Sequence, residues 1–135
     1  MISKKEILMG RVTEESLDFK TKENLEDIIR RVNILRAAYG KPMKVSSGYR
    51  AMEDHLRIYK EKGITDKSKI PMKSKHLYCQ AVDFADAKGD LKKWITENPS
   101  ILEEAGLWCE DFSVTKTWVH VQSVPPKSGK RFFMP

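Results

Sequence analysis

Hydrophobic positions along this chain follow a helical period first and a strand period later. Leu25, Ile28, Ile29, Val32, Leu35 and Tyr39 recur at i, i+3, i+4, i+7 spacing, which predicts a helix from about Asn24 to Tyr39. Gly40 and Pro42 stop it. Ahead of it, "SKKE" at residues 3–6 has capping-box form, with Ile2 and Ile7 placed as a hydrophobic staple. A short opening helix ending by Gly10 is expected. "MKVSSGYR" (43–50) reads as a short strand running into a turn at Gly48. Ala51–Lys62 reads as a second helix with Met52, Leu56 and Tyr59 on one side and Gly63 as its C-terminal cap. His55 shares that stripe and is expected to pack or cap.

Residues 63–75 read as a polar loop, and "YCQAVDFAD" alternates like a strand. Asp90 is placed to cap a helix over Leu91–Glu97, with Leu91, Trp94 and Ile95 inward, and Asn98-Pro99 breaks it. Ser100-x-x-Glu103 starts another short helix that Gly106 ends. "LWCED" and "TWVHVQ" follow as two strands joined by a short connection, and the tail "PPKSGKRFFMP" reads as loop with Phe132 and Phe133 tucked in. Helices first, then strands at hairpin-type spacing, predict an α+β domain with a small, mainly antiparallel sheet and helices packed on one side.

Composition narrows the class. At 135 residues and 15.6 kDa the chain is expected to form one domain over residues 1–135, able to bury a core without disulfides. Cys79 and Cys109 are too isolated for a disulfide framework or a CxxC zinc site, and both read as reduced, buried residues. No apolar run approaches the roughly 18 residues of a membrane span. "MISKKEILMGRV" lacks the order of a secretory signal, so the expected location is cytoplasmic until release. A net charge of +6 and a pI near 9.3 predict attraction to an anionic partner such as nucleic acid, membrane surface or cell wall. The lysines are scattered and no nucleic-acid signature accompanies them, so a specific nucleic-acid reader is not expected.

The chain has three histidines, and two of them sit near an acid in suggestive places. If Val82 and Phe84 face the core, Asp83 faces the other side with Ala81 and Ala85. If Val119 and Val121 face the core, His120 faces the other side with Trp118 and Gln122. An imidazole and a carboxylate can then meet on neighbouring strands. His76 lies outside that ladder, because seven extended residues would hold it about 23 Å from Asp83. Only a sharp curl within "HLYCQ" can bring it back. Two imidazoles and one carboxylate suit zinc with a fourth position for water, yet the spacing leaves open a hydrogen-bonded structural triad instead.

"SGYR" at 47–50, "SKHLYCQAVDFAD" at 74–86 and "TWVHVQ" at 117–122, in that order, resemble zinc D-Ala-D-Ala carboxypeptidases and related peptidoglycan peptidases, which share a fold with the hedgehog signalling domain. The resemblance runs from the Asn24 helix to the end. It implies Zn2+ as cofactor, with His76, Asp83 and His120 in the ligand positions, and Arg50 in place of the arginine that faces the substrate. Arg50 otherwise reads as a surface ion-pair partner of Glu53 or Asp54. Ser47 and Trp118 are expected to line the substrate groove, though a strand tryptophan is also simple packing.

Two departures stand out. Cys79 occupies the family's usual glycine position in the segment that must curl, so the backbone there either avoids positive φ or carries strain. Thr117 stands where many members place a catalytic glutamate. Glu110 and Asp111 are the nearest acidic substitutes, and Glu110, with its longer reach, is taken as the catalytic candidate over a solvated hairpin charge. The expected partner is a peptidoglycan stem peptide, cut by a monomeric carboxypeptidase or endopeptidase. The setting expected is a phage or prophage lysis protein, or a virion-associated one. A catalytically inactive wall-binding module is the rival reading that Thr117 keeps open.

Overall fold

The computed structural model describes residues 1–70 and 74–135, with the side chain of Lys67 left aside. Its elements run α1 (Lys4–Ile7), α2 (Phe19–Tyr39), β1 (Val45–Ser47), α3 (Met52–Glu61), β2 (Ala81–Ala85), α4 (Asp90–Glu97), α5 (Ile101–Ala105), β3 (Trp108–Glu110), β4 (Trp118–Gln122) and β5 (Phe132–Phe133). Among the described residues, one five-stranded sheet has the order β1-β2-β4-β3-β5. Every pairing is antiparallel except β3 with β5. The expected α+β class with a mainly antiparallel sheet is what the chain forms.

Why the core sits where it does follows from strand phase. Val82, Phe84, Val119 and Val121 are fully buried on one face of the central β2–β4 pair. They join Leu25, Ile28, Val32 and Leu35 of α2, Leu91 and Ile95 of α4, and Ile101 and Leu102 of α5 in one apolar cluster. Burial of that area drives the fold. The opposite phase of the same two strands carries Asp83 and His120, which pair directly across the ladder. One face is thus core and the other is available for chemistry.

Several boundaries differ from expectation, each for a local reason. Helix α2 starts five residues early, because Asp18 caps it by accepting from the Thr21 backbone N–H at 2.7 Å. In its added first turn Phe19 is exposed and the buried stripe position is the polar Thr21, so the turn carries no apolar period. At α4 the cap is Asp86 rather than Asp90: its two oxygens accept from the N–H groups of Leu91 and Lys92, both at 3.0 Å. The loop folds back through Gly89 at φ 76°, which brings a residue from β2's end over the helix start. Asp86→Ala should cost about 1–2 kcal/mol of stability, read as a lower denaturation midpoint with unchanged metal binding.

Helix α5 starts after Ser100 and ends at Gly106 as expected, although the Ser100 side chain makes no cap hydrogen bond. The tail is not all loop, since Phe132–Phe133 add a parallel strand beside β3 through bonds from Cys109 N to Arg131 O and from Asp111 N to Phe133 O. Of the polar loop expected over 63–75, residues 71–73 lie outside the described residues, while Lys67–Lys69 and Lys75–Tyr78 form 3-10 turns. The opening capping box is present, with Ile2 and Ile7 buried.

Candidate metal centre

The expected strand at "YCQAVDFAD" is shorter than its alternation suggests, and the shortening makes the site. Lys75–Tyr78 wind into a 3-10 turn, and Cys79 then adopts left-handed geometry at φ 56°, ψ 36°. That reverses the chain before β2 begins at Ala81, with Gln80 N bonding back to Lys75 O at 2.9 Å. The curl needed to return His76 is therefore built at a non-glycine residue, which carries a local conformational cost. Cys79 is wholly buried there, and burial pushes its thiol up to about 12, so it is no nucleophile at neutral pH.

The result is a cluster. His76 Nε2 lies 3.4 Å from Asp83 Oδ2, and His120 Nδ1 lies 2.7 Å from Asp83 Oδ1. One ligand atom from each of the three residues falls within 4.8 Å of the others. The two imidazoles meet edge-on, 5.4 Å between ring centres.

Each ring has its remaining nitrogen tied down. His76 Nδ1 donates to the Gly48 carbonyl at 2.9 Å, which leaves Nε2 directed at the cluster. His120 Nε2 lies 3.0 Å from Gln122 Oε1, whose own amide is fixed by donation to Val124 O at 2.8 Å. Nδ1 of His120 is thereby turned toward Asp83. Outer acceptors that set tautomer and ring orientation are what imidazole metal ligands require.

Electrostatics agree with the geometry. Burial alone would raise the Asp83 carboxyl, but hydrogen bonds and charge from His120 and His76 outweigh it and hold it well below the usual carboxylate range. Burial likewise works against charge on His120, and the Asp83 carboxylate overcomes it, so the imidazole is raised above its ordinary value. Nδ1 faces the Asp83 carboxylate and Nε2 faces the Gln122 amide oxygen. Nδ1 is therefore the nitrogen that this ring offers to a cation. Two imidazoles, one carboxylate and their outer acceptors fit a divalent metal with an open position.

The other expected site residues lie on the elements that surround the cluster. Glu110 ends β3 with Oε2 4.0 Å from His120 Nδ1. Burial, and secondarily Asp83, push its carboxyl above its ordinary value despite the opposing histidines. Ser47 is the register partner of Asp83 across β1–β2. Arg50 follows the Gly48 turn, and its backbone N–H donates to His76 O at 3.0 Å. Its alternative reading is not borne out among the described residues: Asp54 pairs with Arg57 instead, at 3.1 Å. Trp118 pairs with Ala85, two residues along the strand from His120 on the same phase, and is half-buried.

Sequence reasoning missed three contributors. Gln122 was visible as a same-phase neighbour of His120, but its grip on the ring was not. Gly48 reads as a turn residue, whereas its carbonyl orients His76. Phe133, from the unexpected β5, packs edge-on toward His120 at 6.3 Å between ring centres.

A family model described as Peptidase M15 matches residues 3–122. The chain belongs to that family. The match begins earlier than the expected resemblance, taking in α1, and stops at Gln122 with the last cluster strand. As an M15 peptidase, the protein is a peptide hydrolase, and the fold and recognition read from its three motifs stand. Comparison with curated proteins and with solved structures yields no match. No helix among the described residues is long and apolar enough to cross a membrane.

Proposed function

We propose that this M15 peptidase is a zinc enzyme that hydrolyses peptide bonds in the stems of bacterial peptidoglycan, as a carboxypeptidase or endopeptidase. The observation that carries the reading is the His76–Asp83–His120 cluster, with each imidazole's outer nitrogen committed to a fixed acceptor. His76, Asp83 and His120 would hold the ion. Zinc there would supply Lewis acidity toward the scissile carbonyl and a water of lowered pKa.

The chain's own residues supply the rest. Glu110, with its raised carboxyl beside His120, takes a proton from the attacking water and returns it to the leaving amine. This fills the role that Thr117 cannot. Arg50 offers a guanidinium to the developing oxyanion or to a substrate carboxylate. Ser47 and Trp118 flank the groove. A net charge of +6 draws the protein to an anionic wall, and lysis by a phage or prophage, after release from the cytoplasm, is the setting this reading takes.

The test is incubation of zinc-loaded protein with purified wall or muropeptides, scored by new amine termini. Glu110→Gln should lower kcat by about 10²–10⁴-fold with zinc stoichiometry unchanged. One bound zinc and no product from the native protein would favour the wall-binding module, the reading Thr117 supports. Unchanged turnover in Glu110→Gln would remove Glu110 as the base.

A further inference from the structure

We infer that His55 is a positioning residue that holds the Arg50 guanidinium in place through its Nδ1 lone pair. The inference rests on the reading that Arg50 faces the substrate.

The starting observation is an oddity of α3. Spacing puts Met52, Leu56 and Tyr59 on its inner stripe, yet Met52 is 40% exposed and the one fully buried side chain of the helix is His55. A helix ordinarily gives its most buried position to an apolar residue. Here it goes to an imidazole whose Nδ1 lies 3.2 Å from Arg50 Nη1. The Tyr59 ring, one turn along, packs against it at a tilt of 58°, 5.0 Å between ring centres.

The chemistry of the pair has one solution. A guanidinium has donors and no acceptor, so the nitrogen facing it must present a lone pair. His55 Nδ1 therefore accepts, and the ring's N–H sits on Nε2. Arg50 gains a fixed direction without losing charge. A carboxylate could also orient it, but would neutralise the charge needed for an oxyanion or a substrate carboxylate. Among the described residues, Arg50 forms no ion pair with Asp or Glu. Its backbone is already fixed by the bond to His76 O, so His55 restrains what remains free, the long side chain.

Three measurements test this. First, His55→Leu removes the acceptor and keeps an apolar filler, while His55→Asn returns an oxygen near the Nδ1 position. On muropeptides His55→Leu should lose about 10-fold or more in kcat/KM, His55→Asn should recover most of it, and both should bind zinc as the native protein does. Equal losses in the two variants, or a parallel loss of zinc affinity, would mean that His55 only supports the fold.

Second, in an Arg50→Ala background His55→Leu should cause no further loss, whereas additive losses would separate the two residues. Third, nitrogen-15 spectra of the native protein should show His55 protonated on Nε2 alone, with its Nδ1 resonance moving in Arg50→Ala. A ring protonated at Nδ1 overturns the inference. This last measurement needs neither turnover nor a folded His55 variant. A native protein without activity would therefore defeat the proposed function while leaving the Arg50–His55 contact decided on its own.

Discussion

Asp83→Ala is expected to abolish peptide hydrolysis and to weaken zinc binding by more than about 100-fold, since even outer partners of metal ligands are worth 10–100-fold. Asp83 is the only member of the cluster that touches both imidazoles, at 3.4 Å and 2.7 Å. Its loss removes one of three donors and the charge that holds His120 raised. The apolar face of β2 is untouched, with Val82 and Phe84 buried on the opposite phase, so the fold should persist. Metal content after dialysis against limiting zinc, read beside a circular-dichroism melt, checks both halves. A variant that keeps one tightly held zinc and full turnover would remove Asp83 from the site.

Gly48→Ala should also be damaging, although Gly48 supplies no ligand atom to the cluster. A Cβ at Gly48 would fall onto the Ile7 carbonyl oxygen and within 2.8 Å of its carbonyl carbon. Both atoms are backbone, so no flexible side chain can yield. The same turn donates from Tyr49 N to Ile7 O at 2.7 Å and accepts from His76 Nδ1 at 2.9 Å. Moving it loosens α1 on one side and a proposed ligand on the other. The expected cost is about 1–3 kcal/mol of stability or more, with zinc affinity reduced about 10–100-fold. Denaturant unfolding and zinc titration of the same preparation measure the two effects. Native-like values for both would show that the turn shifts without strain.

These two positions mark different degrees of legibility. Asp83 was readable because β2 obeys a period of two, so the core residues at 82 and 84 commit 83 to the other face. The same logic placed His120 opposite Val119 and Val121. Gly48 was readable as a turn and nothing more, since its neighbour Ile7 comes from an element 41 residues away and no local signal links them. The curl before β2 was inferred as a necessity, but the sequence offers cysteine where a glycine would have announced left-handed backbone.

By itself, the sequence determined the helices with apolar stripes, the faces of β2 and β4, the reduced state of both cysteines and the three motifs that carry the family. These are properties of neighbours along the chain, where period and side-chain chemistry act directly. Tertiary structure alone decided the Asp83–His120 register, the fold-back of Asp86 onto α4, the parallel addition of β5, and the outer contacts of His76, His120 and Arg50. Each of those depends on bonds between segments distant in sequence, whose partners are chosen only when the sheet closes and the core excludes water.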